Sequence, residues 1–339
     1  MSTTNRQIIL ARRPRGWVEP DDFGTREGPV PDPGAGDVLV RAIYMSLDPY
    51  MRGRMDDAKS YATPFQLGAP LKARVVGEVA RSRNPAFADG DLVFGMLDWA
   101  DYTLVPGGGG LRAIPPGDLP LAYHLGALGM PGMTAWIGME IGQPKPGDTV
   151  FVSAASGAVG QIAGQIGKLK GCRVAGSAGS DAKAAFVTDD LGFDAAFNYK
   201  TAGDLLAALQ ARCPDGIDVY FDNVGGAMLE AALDHANPFA RFVECGMISQ
   251  YNLSRDETPG IRNLTHINRK RITMQGFIVS DHADRMDAFM AEMTGWLESG
   301  AVKYRIDTAE GLEAAPLAFI EMLKGGNFGK QVVRIGPEP

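Results

Sequence analysis

The stretch TVFVSAASGAVG, residues 149–160, decides the fold of this chain. Its first four residues form an apolar run that predicts a buried strand, and the small residues after them predict a tight turn. Gly157 and Gly160 then lead into apolar residues at helical spacing. A strand, a turn and a helix in this order present backbone N–H groups and a helix N-terminus, so the stretch predicts a cradle for a pyrophosphate.

A second predicted strand, at residues 173–177, follows at the distance that one βαβ unit requires. NAD-binding units place an Asp or Glu near the end of this strand to hold the ribose hydroxyls. This chain has Gly176, Ser177 and Ala178 there, and Lys183 follows. A carboxylate would repel a 2′-phosphate, so its absence beside a lysine favours NADP over NAD. The alternative for Lys183 is a solvated side chain on the first turn of a helix.

The composition is that of an ordinary globular protein with two domains. The chain has 339 residues, of which 45% are hydrophobic and 22% charged. A net charge of −7 provides no basic field, so we expect neither nucleic acid nor an anionic membrane as a partner. No apolar run is long enough to span a bilayer, and residues 1–7 lack the apolar core of a signal peptide. We therefore expect a cytoplasmic protein.

Cysteines and histidines are few and scattered. Cys172, Cys213 and Cys245 form no C-x-x-C pair, and the four histidines have no partner at metal-ligand spacing. This pattern indicates a reducing compartment and disfavours structural zinc. We expect the chemistry of this chain to use neither a metal nor a histidine base.

The texture of the sequence changes near residue 125. Residues 1–124 are predicted to be rich in strands, residues 125–299 to alternate strands with helices, and residues 300–339 to return to the first domain. Strands are predicted at residues 7–11, 37–43, 73–80, 92–95, 149–152, 173–177, 195–197, 217–221, 241–245, 272–278 and 331–335. Later helices are predicted at residues 181–191, 202–212, 228–235, 285–297 and 312–323. The alternation predicts an α/β fold with a doubly wound parallel sheet beside a β-rich domain.

Several further segments, spread over nearly the whole chain, form a specific pattern. They are SLDPYMRGRM (46–55), LGMPGMTA (128–135), QIGKLKGC (165–172), LGFD (191–194), FNYK (197–200), DNVGG (222–226), CGMISQYN (245–252) and GGNFGK (325–330). With these segments the chain resembles the medium-chain dehydrogenase/reductase superfamily. More narrowly, it resembles the zinc-independent branch of NADPH-dependent alkenal double-bond reductases, which includes leukotriene B4 12-hydroxydehydrogenase/prostaglandin reductases and bacterial curcumin reductases.

The resemblance implies a fold and an activity. Residues 1–124 and 300–339 would form a GroES-like domain for substrate and catalysis, and residues 125–299 a Rossmann domain for NADPH. Two copies would form a homodimer through their Rossmann sheets. The implied activity is NADPH-dependent reduction of the C=C bond of α,β-unsaturated ketones and aldehydes. The alternatives are an NADPH-dependent quinone oxidoreductase and a non-catalytic NADPH-binding protein.

Zinc-dependent members of this superfamily bind their metal near a Gly-His-Glu that precedes one strand of the first domain. Aligned on Gly77, this chain has Lys72, Ala73 and Arg74 at those positions. None of the three can act as the His or Glu ligand. The sequence therefore predicts no catalytic zinc.

The resemblance also assigns cofactor contacts. The pyrophosphate would lie on Gly157, Ala158, Val159 and Gly160, and the 2′-phosphate would bind Lys183 and Tyr199. The remaining implied contacts, around the nicotinamide and across the domain cleft, are Thr134, Asn223, Cys245, Gly246, Ile248, Ser249, Tyr251, Phe277, Ile278, Val279 and Asn327.

Four of these assignments have structural alternatives. Tyr199 alone would be an ordinary half-buried loop residue, and Asn223 would cap the next helix. Residues 277–279 would be a simple core strand. Asn327 would occupy a left-handed turn, which asparagine tolerates.

Reduction of an enone leaves negative charge on its carbonyl oxygen, so a donor aimed at that oxygen lowers the barrier. With neither metal nor histidine expected, a tyrosine hydroxyl is the natural donor. Tyr251, in CGMISQYN, is the first candidate, and Tyr50, in SLDPYMRGRM, is the second. A tyrosine of ordinary pKa, about 10, donates a hydrogen bond at pH 7 more readily than it accepts a proton. We expect the α-carbon to take its proton from solvent.

Overall fold

The computed structural model describes residues 4–339, which separate into two compact units. The first unit comprises the chain up to Leu125 with Ile306–Asn327 and Gln331–Pro339. The second comprises Gly126–Arg305 with Phe328–Lys330.

Strands and helices are numbered in chain order. The strands are β1 (Thr4–Leu10), β2 (Phe23–Pro29), β3 (Val38–Ser46), β4 (Lys72–Ser82), β5 (Leu92–Asp98), β6 (Tyr102–Val105), β7 (Arg112–Ala113), β8 (Thr149–Val152), β9 (Arg173–Ala178), β10 (Ala195–Asn198), β11 (Ile217–Asp222), β12 (Ala236–Glu244), β13 (Thr273–Gly276), β14 (Ile306–Glu310) and β15 (Lys330–Arg334). The helices are α1 (Met51–Arg54), α2 (Met130–Gly142), α3 (Gly160–Leu169), α4 (Asp181–Asp189), α5 (Leu205–Arg212), α6 (Gly226–His235), α7 (Thr265–Lys270), α8 (Met286–Glu298) and α9 (Ala315–Leu323).

The first unit is built on a seven-stranded sheet with the order β14-β15-β3-β4-β5-β7, in which β6 also pairs with β3. A separate antiparallel pair joins β1 to β2. The core contains Trp99 and Phe319, both almost fully buried, and Phe23 packs against them. The three ring centroids lie 6.0–6.3 Å apart, at the distances typical of stacked and edge-on aromatic pairs.

The second unit contains a six-stranded sheet with the order β10-β9-β8-β11-β12-β13, and its five pairings are all parallel. The four residues of β8 are all buried, as expected of a central parallel strand that is covered on both faces. Strand order reverses between β8 and β11. The predicted α/β fold class, a β-rich domain beside a doubly wound parallel sheet, is confirmed.

Local interactions explain where predicted and observed elements differ. The helix predicted at 202–212 begins later, at Leu205, because the Asp204 side chain accepts hydrogen bonds from the N–H groups of Leu206 and Ala207 and caps it. Helix α2 was not predicted, because nine of its thirteen residues are buried and its sequence has no polar face. The strand predicted at 272–278 ends at Gly276.

Residues 300–305 belong to the second unit, although the sequence predicted that the return to the first domain begins at residue 300. Two buried glutamines of α3 hold this segment. The N–H group of Lys303 donates to Gln165 Oε1 at 2.8 Å, and that of Arg305 donates to Gln161 Oε1 at 2.9 Å. The return therefore begins at Ile306.

Residues 4–339 contain no helix with both the length and the apolar character that crossing a membrane requires.

Helix α3 packs very closely on the turn that follows β8. A Cβ atom added to Gly160 would lie 2.4 Å from the carbonyl oxygen of Ala154 and 2.9 Å from the Cα of Ala155. Both contacts are with backbone, so a side chain would displace the helix from the strand.

We predict that Gly160→Ala destabilises the protein by about 1–3 kcal/mol, because the methyl group overpacks this junction. Gly295→Ala is the matched control, since Gly295 lies inside α8 with open space at its Cβ position. The control should be stabilising by about 0.5–1 kcal/mol. Urea unfolding of both variants measures the difference. Equal stability of the two would contradict the packing argument.

Candidate functional site

The candidate site lies at the carboxyl ends of the parallel strands of the second unit. Ligands of open α/β sheets bind where the strand order reverses, which here is between β8 and β11. Three connections meet near this point. They are the turn after β8, the loop after β11 and the loop after β12.

The turn after β8 runs from Ser153 to Val159. Ala154 adopts a positive φ of 49°, and the N–H group of Gly157 donates to its carbonyl oxygen at 2.9 Å. Within residues 4–339, the N–H groups of Ala158 and Val159 have no acceptor. They immediately precede α3, whose N-terminal dipole also favours negative charge. The predicted pyrophosphate turn therefore has the donors that a phosphate group needs.

Lys183 and Tyr199 both lie near the end of β9. The Ser180 side chain caps α4 by accepting a hydrogen bond from the Lys183 N–H group at 3.3 Å, so Lys183 occupies the first turn of that helix. The N–H group of Tyr199 donates to the Ala178 carbonyl at 3.0 Å, and a Cβ on Gly179 would lie 3.5 Å from the Tyr199 ring. Tyr199 is 40% exposed, so a ligand can reach this residue from solvent.

The first carboxylate after β9 is Asp181. Its Oδ1 accepts a hydrogen bond from Asn198 Nδ2 at 2.9 Å, so it is held toward β10. Burial raises the pKa of the Tyr199 hydroxyl, which therefore stays a neutral donor at pH 7. The end of β9 thus provides donors and small residues, as a 2′-phosphate requires.

Hydrogen bonds tie the loop after β12 to the loop after β11. The carbonyl oxygen of Asp222 accepts from the N–H groups of Cys245 at 2.9 Å and Gly246 at 3.1 Å. The N–H group of Ile248 donates to the Asn223 carbonyl at 3.2 Å. Ser249 donates to the Val224 carbonyl through its N–H group at 3.2 Å and its hydroxyl at 2.6 Å. The two loops are therefore held as one surface.

Asn223 links this surface to the turn after β8. Its Nδ2 donates to the Ser153 carbonyl at 2.8 Å, and its N–H group donates to Ser153 Oγ at 2.9 Å. The capping position of α6 is occupied by Gly225 instead. The capping alternative for Asn223 is therefore wrong, because its amide is used to join β8 to β11.

Two buried residues without a predicted role, Ser153 and Asp222, join these loops by hydrogen bonds. Asp222 is fully buried, and its Oδ1 accepts from Tyr220 OH (2.6 Å), Ser153 Oγ (3.0 Å), Val224 N (2.8 Å) and Gly225 N (2.9 Å). Burial raises the pKa of Asp222. The sequence signal for Asp222 was its place in DNVGG, at the end of an apolar strand.

The hydroxyl of Tyr251 lies over the backbone of the loop after β12. It accepts a hydrogen bond from the Met247 N–H group at 3.3 Å, and a Cβ on Gly246 would lie 2.9 Å from its oxygen. A side chain at Gly246 would therefore move Tyr251. Burial and the charges of Asp222 and Glu244 raise the pKa of Cys245 to about 12, so its thiol is not a nucleophile at pH 7.

Thr134 and residues 277–279 lie elsewhere in the second unit. The Thr134 hydroxyl donates to the Met130 carbonyl inside α2 at 2.7 Å. Phe277 follows the end of β13, and its ring lies 3.2 Å from the Cβ position of Gly138 in α2. Residues 277–279 are half-buried and outside the strand, so their alternative as a core strand is wrong.

Asn327 and Tyr50 belong to the first unit. Asn327 does not adopt a positive φ, so the alternative that it occupies a left-handed turn is wrong. Tyr50 precedes α1 and packs against the hydrophobic core. Burial and the charge of Asp48 raise the pKa of Tyr50 to about 12, so its hydroxyl remains a proton donor.

The part of the chain from residue 4 onward contains no group of three or more His, Cys, Asp or Glu residues that could hold a metal ion. The three residues aligned with the metal motif have other contacts. Lys72 Nζ pairs with Asp98 at 2.8 Å, Ala73 is buried in the core, and the Arg74 guanidinium lies 5.6 Å from the Phe94 ring centroid.

Two family models match the sequence. The N-terminal domain of oxidoreductases matches residues 6–114, and the domain described as zinc-binding dehydrogenase matches residues 158–295.

Two curated relatives are similar along almost the entire chain. The NADP(+)-dependent 2-alkenal reductase of Nicotiana tabacum is 45% identical over 99% of this chain and 98% of its own length. The NADPH-dependent curcumin reductase of Escherichia coli (strain K12) is 44% identical over 98% and 97%. The crystal structure of CurA from Vibrio vulnificus in complex with NADPH superimposes with a TM-score of 0.92, at 45% identity over 98% of this chain and 100% of that one.

Proposed function

This chain belongs to the medium-chain dehydrogenase/reductase family, in its NADP-dependent alkenal and curcumin reductase branch, and we propose that it reduces α,β-unsaturated ketones and aldehydes with NADPH. The observation that carries the proposal is 44–45% identity, over at least 98% of the chain, to two reductases named for an alkenal and for curcumin. NADPH, when bound, supplies the hydride that reaches the β-carbon of the substrate.

The proposal is tested with NADPH, a simple enone, curcumin and a quinone in parallel. We expect NADPH absorbance to fall with the enone and with curcumin, and the isolated product to be the saturated ketone. A hydroquinone as the main product would instead support a quinone oxidoreductase. NADPH binding without turnover of any enone or enal would contradict the proposed reaction.

The fit of the second unit to NADPH supports the cofactor. The N–H groups of Ala158 and Val159 have no acceptor in the described chain. Because Gly160 has no Cβ atom, the start of α3 packs closely on the backbone of Ala154 and Ala155. Lys183 and Tyr199 flank the end of β9, where Gly176 and Ala178 stand in place of a carboxylate. We assign the pyrophosphate to the first group and the 2′-phosphate to the second.

We predict that Lys183→Ala raises the Kd for NADPH about 10- to 100-fold, because one charge-assisted hydrogen bond to the 2′-phosphate is lost. The Kd for NADH, which lacks that phosphate, should stay the same. Lys170→Ala, at the exposed end of α3, is the matched control and should leave both constants unchanged. Fluorescence titration measures them. A parallel loss of NADH affinity would indicate a general defect instead of phosphate recognition.

We propose that Tyr251 stabilises the negative charge on the substrate's carbonyl oxygen, with Tyr50 as the second donor. The hydroxyl of Tyr251 accepts a hydrogen bond from the Met247 N–H group, and a phenol hydroxyl is both a donor and an acceptor. The pKa of Tyr50, about 12, keeps that hydroxyl protonated as well. Because both hydroxyls are assigned to the carbonyl oxygen, we assign protonation of the α-carbon to solvent.

We predict that Tyr251→Phe lowers kcat for enone reduction by about 10²–10³-fold while NADPH still binds, as for loss of one oxyanion donor. Tyr50→Phe should have a smaller effect on kcat. Steady-state kinetics and NADPH titration separate the two quantities. A larger loss in Tyr50→Phe than in Tyr251→Phe would reverse the order of the two donors.

Further features follow from the same family membership. We propose that the reaction is zinc-independent. We also propose that residues 1–124 and 300–339 supply the substrate side, with the return to this domain beginning at Ile306 and not at residue 300. Gly126–Arg305 supplies the NADP side. Loss of turnover on exhaustive chelation would contradict zinc independence.

We also propose a cytoplasmic homodimer that associates through the Rossmann sheets. The edge strand β13 is mostly exposed, which leaves its hydrogen-bonding edge available to a second copy. The three free cysteines are consistent with a reducing compartment. Sedimentation that yields only a 36.1 kDa species would contradict the dimer, and recovery of the protein outside the cytoplasmic fraction would contradict the location.

A further inference from the structure

The carboxyl groups of Asp222 and Glu244 lie side by side in the interior of the second unit. Asp222 ends β11 and Glu244 ends β12, and the two residues are paired in register across the parallel strands. Residues in register present their side chains to the same face of a sheet. Asp222 is fully buried, and both carboxyl oxygens of Glu244 are buried as well.

Three of the four oxygens in this pair have no donor. Asp222 Oδ1 accepts four hydrogen bonds, but Asp222 Oδ2 and both Glu244 oxygens have no hydrogen-bond partner within residues 4–339. Two ionised carboxylates side by side in a buried site would repel each other strongly. One proton on Glu244, donated to Asp222 Oδ2, removes the repulsion and provides the missing hydrogen bond.

Within residues 4–339, no cation pairs with either carboxyl in place of that proton. Strand β13, on the other side of β12, carries no ionisable residue. Helix α7 packs on β12. Its His266 lies 2.9 Å from Asp234, and its Lys270 donates to the Leu233 carbonyl at 3.0 Å. In the described chain, Arg269 of the same helix donates to neither carboxyl. Glu140 of α2 pairs with Arg285 at 3.0 Å, and in α6 Glu230 pairs with Arg262 and His235 Nε2 contacts the Cys213 carbonyl.

On the two strands themselves, Asp218 accepts hydrogen bonds from the Thr149 N–H group and Asn237 Nδ2, and Arg241 pairs with Asp148. Tyr220 and Cys245 are the other ionisable groups beside the pair on these strands and directly after them. The Tyr220 hydroxyl donates to Asp222, and burial together with the charge of Asp222 raises its pKa well above 10. The pKa of Cys245 is raised to about 12. Both groups therefore stay neutral below pH 10. Burial and the charge of Asp222 raise the pKa of Glu244 to about 8, so Glu244, unlike Tyr220 and Cys245, titrates near neutral pH.

We propose that Asp222 and Glu244 share one proton and act as a positioning pair, which holds the loops after β11 and β12 in the arrangement that binds NADPH. The proposal rests on the proposed function for the identity of the cofactor. Neither residue needs to touch it. They act through Ser153, the Asn223–Gly225 turn and the backbone of Cys245 and Gly246.

The connection to the loops is direct. The charged Asp222 oxygen fixes Ser153 and the N–H groups of Val224 and Gly225, while its carbonyl fixes Cys245 and Gly246. A second charge on Glu244 would push Asp222 away and loosen these contacts together. The proton on Glu244 therefore controls the shape of the surface at the switch point of the sheet.

This arrangement has a defined pH dependence. The folded protein keeps the Glu244 proton up to about pH 8, whereas the unfolded chain loses it near 4.5. Between these values the native state binds more protons, so this contribution to stability decreases as pH rises and is lost above about pH 8. At pH 9 roughly one molecule in ten keeps the proton, so the Kd for NADPH should be about tenfold higher than at pH 7.

The test compares the full-length wild type with Glu244→Gln, whose amide donates to Asp222 at every pH. Infrared difference spectra, wild type minus variant, should show the carbonyl band of a protonated carboxylic acid at pH 7 that disappears by pH 10. Fluorescence titration should show the tenfold rise in NADPH Kd in the wild type and a constant Kd in Glu244→Gln. Glu244→Leu, which removes the donor, should weaken NADPH binding at pH 7.

Glu298→Gln, at the exposed end of α8, is the matched control and should retain the wild-type pH profile. The proposal fails if the protonated-carboxyl band is missing at pH 7, if Glu244→Gln keeps the wild-type pH dependence, or if wild-type Kd is constant from pH 7 to 9. If Glu244→Leu does not fold, the comparison of wild type with Glu244→Gln still tests the proposal.

Enone turnover, measured alongside, separates this inference from the proposed function. A wild type that binds NADPH with the expected pH dependence but reduces no enone contradicts the reaction and supports the pair. Turnover with pH-independent NADPH binding supports the reaction and overturns the pair.

Discussion

The candidate site depends on one buried acceptor, Asp222. Its carboxylate and its carbonyl together accept six hydrogen bonds. Tyr220 of β11 donates one, and the other five come from three different connections of the sheet. Neighbouring parallel strands end in separate loops, and the hydrogen bonds of the sheet do not extend into these loops to hold them together. A fully buried charged acceptor binds such donors strongly, because the cost of leaving them unpaired is high. Asp222 therefore turns three loops into one surface.

Buried polar side chains also hold a distant segment beside α3, the helix that follows the turn after β8. Gln161 and Gln165, on the buried face of α3, hold the backbone of Lys303 and Arg305 by paired hydrogen bonds. Between these two residues, Tyr304 donates to the Ala158 carbonyl at 3.2 Å. A segment distant in sequence thus supports the phosphate turn. This explains why the second unit extends to Arg305 and why its helix α3 carries amides on a buried face.

Much of this organisation could be predicted because it depends on local chemistry. The phosphate turn needs small residues and a helix start, and residues 149–160 contain both. Most strands were predictable because buried parallel strands are continuous apolar runs. Helix α2 was not, because a helix buried on nearly all sides has no periodic polar face. The role of Asn223 was not predictable either, since its partner Ser153 is seventy residues away in the chain.

The sequence by itself determined the α/β fold class, the position of the phosphate turn and the family, because these depend on local patterns and on motifs that span the chain. Only the tertiary structure decided which side chains meet at the turn. The register of β11 and β12 brought Asp222 against Glu244, and the order of the strands brought Ser153 beside both loops. Such contacts arise from strand pairing between distant segments, which no local pattern encodes. Local chemistry thus determines which residues form the turn at Gly157–Gly160, and the order and register of the strands determine which side chains surround it.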